Sequence, residues 1–190
     1  MKPSIPSSIS RRRALSLGLG LVAGAEIESL PFVHAQPKRA TFVLVHGAWH
    51  GGWCWRRVVD RLTAKGHYVV APTLSGVGER SHLPPDFISL TTQINDVIGE
   101  IKWKDLEGIV LVGHSYGGMV ITGVAEQLGD RIASIVYIDA FTPADGQSLL
   151  DNALARCRTD RSWKTETVTC GHDVMIDQPA QLCATLERLG

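Results

Sequence analysis

Two rhythms of apolar and polar residues alternate along the chain and predict its elements. The run "ATFVLVH" (40–46) is short, apolar and rich in β-formers, as a buried strand should be, and it ends at Gly47. In "WCWRRVVDRLTAKG" (53–66) the apolar positions move to helical spacing with basic residues between them, and Gly66 supplies a stop. "HYVVAP" (67–72) predicts the next strand, closed by Pro72, and the Gly, Ser and Pro of "TLSGVGERSHLPPD" (73–86) predict a loop. Ser89 stands as the cap of a helix whose Leu90, Ile94, Val97, Ile98 and Ile101 fall at helical intervals. "GIVLVG" (108–113) predicts a strand, Tyr116–Leu128 a helix ended by Gly129, and "IASIVYIDAF" (132–141) a further strand.

Strands alternating with helices imply βαβ units and a mostly parallel, doubly wound α/β sheet, with functional residues at the carboxyl ends of the strands. Beyond Asp139 the rhythm shortens. Ser148–Cys157 predicts one short helix, "WKTETVT" (163–169) alternates like a strand, and Pro179–Leu189 predicts a last helix that opens on a proline. A parallel crossover takes about a dozen residues or more, so residues 140–171 hold one such connection and no more.

Composition narrows the classes. The 190 residues are 44% apolar and 20% charged, with 19 basic and 19 acidic side chains. A net charge of zero lacks the basic excess that nucleic acid or an anionic membrane would call for. The first 35 residues are set apart from the fold that follows. Arg11, Arg12 and Arg13 precede a mildly apolar, glycine-containing run, and "VHA" (33–35) loosely fits a small-residue cleavage site. The Ser-Arg-Arg pattern resembles a twin-arginine export signal. Residues 1–35 are therefore expected to be a signal, and 36–190 one domain that is periplasmic or secreted, without stable membrane insertion after cleavage. Gly18, Gly20 and Gly24 echo a dinucleotide fingerprint at the wrong spacing and with no strand before them. Cys54, Cys157, Cys170 and Cys183 could pair in an oxidising compartment in three ways, with free or buried thiols as the default. "CGH" (170–172) is too little for a zinc site by local spacing, and no metal or cofactor is expected.

The residues that carry chemistry begin at Gly113-His114-Ser115-Tyr116-Gly117, a G-x-S-x-G motif between an apolar strand and an amphipathic helix. That placement predicts a strained turn raising Ser115 above the sheet as a nucleophile, with helix amides aimed at charge developing beside it. The amide of Tyr116 and one from "HGAWHGGW" (46–53), assigned to Ala48, would form an oxyanion hole. His46 and His50 are expected to brace that loop. The base should follow the last strand, because the chain order in such a site is serine, acid, histidine. His172 in "TCGHDVMIDQP" meets that condition, whereas His34 lies in the signal, His67 starts a strand and His82 sits in a loop.

Together, "LVHGAWHGGWCW", "APTLSGVGERSHL", "VLVGHSYGGMVITGVAEQLGDRI", "VYIDAFTPADGQSL" and "GHDVMIDQP" resemble bacterial α/β-hydrolase-fold esterases, themselves similar to plant methyl esterases and hydroxynitrile lyases. The resemblance spans nearly all of 41–150 and 163–189. It implies an acyl-enzyme serine hydrolase of small carboxylic esters, with Ser115 as nucleophile, His172 as base, and Ala48 and Tyr116 as oxyanion donors. Asp173 follows the histidine where the lyases carry lysine, which argues against that branch.

The family also carries a helical cap and a further strand, followed by the triad acid, between "YIDAF" and the histidine loop. Here both are missing, giving a shortened α/β-hydrolase fold without a cap and with one strand fewer. A final strand sliding into the vacant slot would shift its loop by ~4.8 Å and carry His172 toward Asp139, which becomes the best substitute acid. Its competing role is a loop-bracing carboxylate; Glu166 and Asp173 are weaker candidates. Loss of the cap leaves a shallow pocket expected to include Trp49, Trp53, His114 and Phe141, and a tendency to self-associate. The alternative to a hydrolase is a non-catalytic relative: a degenerate or truncated product, or a small-molecule binder using the remnant pocket.

Overall fold

The computed structural model describes residues 39–142 and 162–190. The expected signal (1–35) and the expected helix at Ser148–Cys157 lie outside the described residues. Four strands, β1 (Thr41–Val45), β2 (Tyr68–Val70), β3 (Ile109–His114) and β4 (Ile132–Ile138), form one sheet in the order β2-β1-β3-β4. Every pairing is parallel. Helices α1 (Arg56–Ala64), α2 (Leu90–Trp103) and α3 (Gly117–Leu128) make the crossovers, and α4 (Val174–Asp177) and α5 (Pro179–Glu187) close the described chain.

Strand parity divides the core into two layers. Phe42 and Leu44 of β1 and Val110 and Val112 of β3 point to one face, where they meet Val58 and Leu62 of α1 and Leu182 and Leu186 of α5. Their neighbours Val43, Val45, Ile109 and Leu111 point to the other, against Val97 and Ile101 of α2 and Val120 and Val124 of α3. Both faces are therefore dry, which is why β1 and β3 read as continuous apolar runs. Each such fully buried aliphatic side chain contributes about 1.5–3 kcal/mol. α2 begins where Ser89 caps it: Ser89 Oγ accepts from Thr92 N, and Ser89 N donates to Thr92 Oγ1, a reciprocal box.

The chain runs from β1 outward to β2, then returns past β1 to β3. Strand order reverses between β1 and β3, and the carboxyl ends on either side of that point frame a crevice.

One expected element does not form. Residues 163–169 are not a strand, and among the described residues nothing pairs with the outer edge of β4. The alternation in "WKTETVT" is carried by threonines, and its apolar members Trp163 and Val168 are five positions apart, so a strand would turn them to opposite faces. The segment is anchored through side chains instead. Glu166 accepts from Thr185 Oγ1 at 3.0 Å and pairs with Arg188 at 2.6 Å, while the Trp163 ring lies 5.3 Å from that of Tyr137.

Candidate functional site

Ser115 occupies the turn between β3 and α3 with φ +51°, a left-handed conformation that a non-glycine residue adopts only under constraint. Tight packing supplies the constraint. A Cβ on Gly117 would lie 2.7 Å from the carbonyl oxygens of Val45 and His46, and one on Gly118 would lie 2.0 Å from Phe141 O. Only glycine lets the start of α3 sit so close to the ends of β1 and β4. Ser115 N donates to Ile138 O at 3.1 Å, and Phe141 N donates to Ser115 O at 3.1 Å. The elbow is thus stitched to both sides of Asp139.

Asp139 is itself left-handed, with φ +40°. Its Oδ2 accepts from His172 Nδ1 at 2.5 Å, and both side chains are about half exposed, at 51% and 52%. With Nδ1 donating, His172 Nε2 is the ring nitrogen left able to accept a proton. No intervening strand brings the histidine there. Its loop is held by the buried His114 Nε2, which donates to His172 O at 2.9 Å, and by Gly171 N, which donates to Asp177 Oδ2 at 3.1 Å. Arg57 of α1 donates to Ile176 O at 2.8 Å and holds α4 from below. Among the described residues, Ser115 Oγ makes no hydrogen bond, to His172 or to any other group.

The loop after β1 faces the elbow. Gly47 packs so that a Cβ there would stand 3.1 Å from both Ser115 Cβ and His114 Nδ1. His46 is fully buried and braces this loop: its Nδ1 donates to Gly47 O at 2.7 Å, and its Nε2 accepts from Leu74 N at 3.0 Å. Burial, with His50 adding a smaller push, lowers the His46 pKa below its ordinary value. His114 is pushed down to about 4, first by burial and then by its histidine neighbours, against a hydrogen bond to His172 that raises it.

A cavity of about 260 Å³ opens between the β1 loop and the start of α2. Ala48 and Tyr116 both line it, with Leu74, Val77 and Ile88 as apolar wall and Gln93 as a polar one. Tyr116 Oη donates to Gln93 Oε1 at 2.6 Å, and Gln93 Nε2 donates to Ser75 O at 2.9 Å, so the polar wall is fixed before anything binds. Burial raises the Tyr116 pKa, keeping the phenol protonated. The four expected pocket residues do not line this cavity. Trp49 is 91% exposed, Trp53 is exposed with its ring 5.5 Å from that of His50, His114 is buried beneath the site, and Phe141 is half-buried by the elbow. The cavity instead draws on the 74–77 loop and on Ile88, Ser89 and Leu90, whose chemistry carries no motif. Cys54, Cys170 and Cys183 are free thiols, and burial pushes Cys54 up to about 12.

Residues 42–164 match the Alpha/beta hydrolase family. The chain belongs to this family. Over 111 residues this α/β hydrolase is 55% identical to the carbendazim hydrolyzing esterase of Nocardioides sp. (strain SG-4G), covering 58% of this chain and 46% of that protein. It is 33% identical over 143 residues to Methylesterase 2 of Arabidopsis thaliana, covering 73% and 54% of the two chains. An extracellular α/β-hydrolase from a Paenibacillus species is 40% identical and superposes with a TM-score of 0.53 over 57% of this chain and 44% of that one. The chain spans about half the length of the curated relatives it matches. The parallel sheet and the family agree with the α/β-hydrolase fold expected from the motifs. Among the described residues no helix is long and apolar enough to cross a membrane.

Proposed function

We propose that this α/β hydrolase cleaves small carboxylic esters through an acyl-enzyme on Ser115. The observation that carries the reading is the Asp139 Oδ2–His172 Nδ1 hydrogen bond at the strand ends beside a left-handed serine. In this mechanism His172 Nε2 takes the Ser115 proton as Oγ attacks the ester carbonyl. The backbone amides of Ala48 and Tyr116 hold the oxyanion, and the imidazolium returns its proton to the departing alkoxide. Water then repeats the sequence and releases the acid. Asp139 stabilises the imidazolium and fixes its tautomer. The cavity's 260 Å³ and its apolar wall favour a short acyl group. Esterase activity in the carbendazim hydrolyzing esterase and the plant methylesterase supports the same reaction class.

Ser115 Oγ and His172 are not yet bonded. Such bonds often tighten only around substrate, so the reading stands on Ser115 reactivity. A fluorophosphonate should label Ser115 in the folded parent, and Ser115→Ala should abolish both the label and hydrolysis of p-nitrophenyl acetate. Folded protein that takes no label would refute the hydrolase and favour the non-catalytic reading, which the open Ser115–His172 contact also fits.

We further infer that residues 1–35 are an export signal. The arginine cluster supports it, and the Paenibacillus neighbour is described as extracellular. Appearance of a processed, periplasmic form that is lost when Arg11 and Arg12 become lysine tests the inference.

A further inference from the structure

Beneath the proposed catalytic residues lies a second constellation that the ester reaction does not use. His50 comes from the loop after β1, His114 is the last residue of β3, and Asp173 follows His172. One ligand atom from each lies within 4.8 Å of the other two. Asp173 Oδ1 is the hub, 3.5 Å from His50 Nε2 and 3.8 Å from His114 Nε2. Both separations are beyond hydrogen-bond length, and this enclosed oxygen accepts no hydrogen bond among the described residues. An orphaned carboxylate oxygen facing two imidazole nitrogens has a chemical reading. Donors that each sit about 2.1 Å from one ion lie roughly 3–4 Å from one another.

We propose that His50, His114 and Asp173 bind a divalent transition-metal ion of the zinc class, two imidazole nitrogens and one carboxylate oxygen leaving a coordination position open. The donor set suits zinc and its neighbours rather than calcium or magnesium, which want oxygen alone. His114 is 1% exposed, so its ring is held in place beside Asp173 by the surrounding packing. The cluster of donor atoms comprises His50, His114 and Asp173 and does not include the buried Cys54 thiol.

Binding has a mechanical consequence. His114 Nε2 now donates to His172 O. To ligate through Nε2 the ring must carry its proton on Nδ1, and the His172 carbonyl is released. The ion therefore ties Asp173 to the β1 loop while loosening the hold on the histidine beside it, so it should raise thermal stability and slow ester hydrolysis. Only the second effect rests on the hydrolase reading; binding itself does not.

The test is calorimetric titration of chelator-stripped full chain with zinc chloride, paired with visible absorption after cobalt(II) addition. One ion per chain should bind, with a cobalt spectrum of a nitrogen–oxygen site. Asp173→Asn and His50→Gln should each weaken binding at least ~10-fold, while Cys170→Ser, which removes an exposed thiol two residues before His172, should leave it unchanged. Both ligand variants alter partly exposed side chains, so if one fails to fold by circular dichroism the other decides. Absence of saturable binding in the parent, undiminished binding in a folded ligand variant, or loss of binding in Cys170→Ser would overturn the proposal.

Discussion

Asp139→Asn separates the chemistry of the site from its architecture. The substitution keeps the shape of the side chain and removes its charge. Asparagine tolerates left-handed backbone as well as aspartate does, so the φ of +40° at this position should persist and the melting temperature should stay close to that of the parent. The effect on rate follows from exposure. A buried triad that loses its carboxylate slows about 10⁴-fold. Here Asp139 and His172 are 51% and 52% exposed, so water replaces part of what the carboxylate gives the imidazolium. A pair of unit charges near a protein surface interacts by ~4 kcal/mol, and by ~1 kcal/mol in bulk water. The expected loss in kcat/KM therefore falls between about 5-fold and about 10³-fold. Hydrolysis of p-nitrophenyl acetate by the parent, the variant, His172→Ala and the double variant measures it. If Asp139 works through His172, the double variant should be no slower than His172→Ala alone. A variant within a factor of ~2 of the parent, beside an inactive His172→Ala, would show that something else orients the histidine and would end the role assigned to Asp139.

Other perturbations probe the surroundings. Gly118→Ala would drive a methyl to 2.0 Å from Phe141 O; unlike a clash with a flexible side chain, this one is with backbone, so a loss of about 1–3 kcal/mol or more in urea unfolding should follow. Ser89→Ala removes the side-chain half of the α2 capping box, leaving Ser89 N to donate to Thr92 Oγ1, and should cost ~1 kcal/mol, read as a lower urea midpoint with unchanged m. Stability of the metal-free chain should fall as pH drops below about 6.5, because His46 and His114 are held neutral in the fold but take up protons once unfolded. For His114, with its folded value near 4, the loss at pH 5 is about 2 kcal/mol. Urea midpoints at pH 7.5 and 5 measure it, and a pH dependence unchanged in a folded His114→Gln variant would refute the assignment.

How much of this was legible in the sequence depends on the range of the interaction involved. Every strand and helix through β4 follows from local periodicity, and the Ser89 cap is a short-range signal whose reason, a reciprocal hydrogen-bond box, acts within its own turn. The glycines around Ser115 are read from a local motif, but the contacts below 3 Å that require them are with the end of β1 and with Phe141 after β4. Segment 163–169 misled because alternating threonines imitate a half-buried strand, while its real anchors are Glu166 to the last helix and Trp163 to Tyr137. The cavity wall at Leu74, Val77 and Ile88 was hidden among loop residues chosen by composition. A final strand sliding into the vacant slot is the reason the sequence offers for placing His172 beside Asp139; the two are hydrogen-bonded, but no such strand forms among the described residues, and a buried His114 holds the loop by its backbone. His50 and Asp173, 123 positions apart by number, likewise come within 3.5 Å of each other beside that buried histidine. No spacing rule reaches across such a distance. Local patterns built the strand ends, and the chemistry carried there by separate segments became visible only once those ends stood side by side.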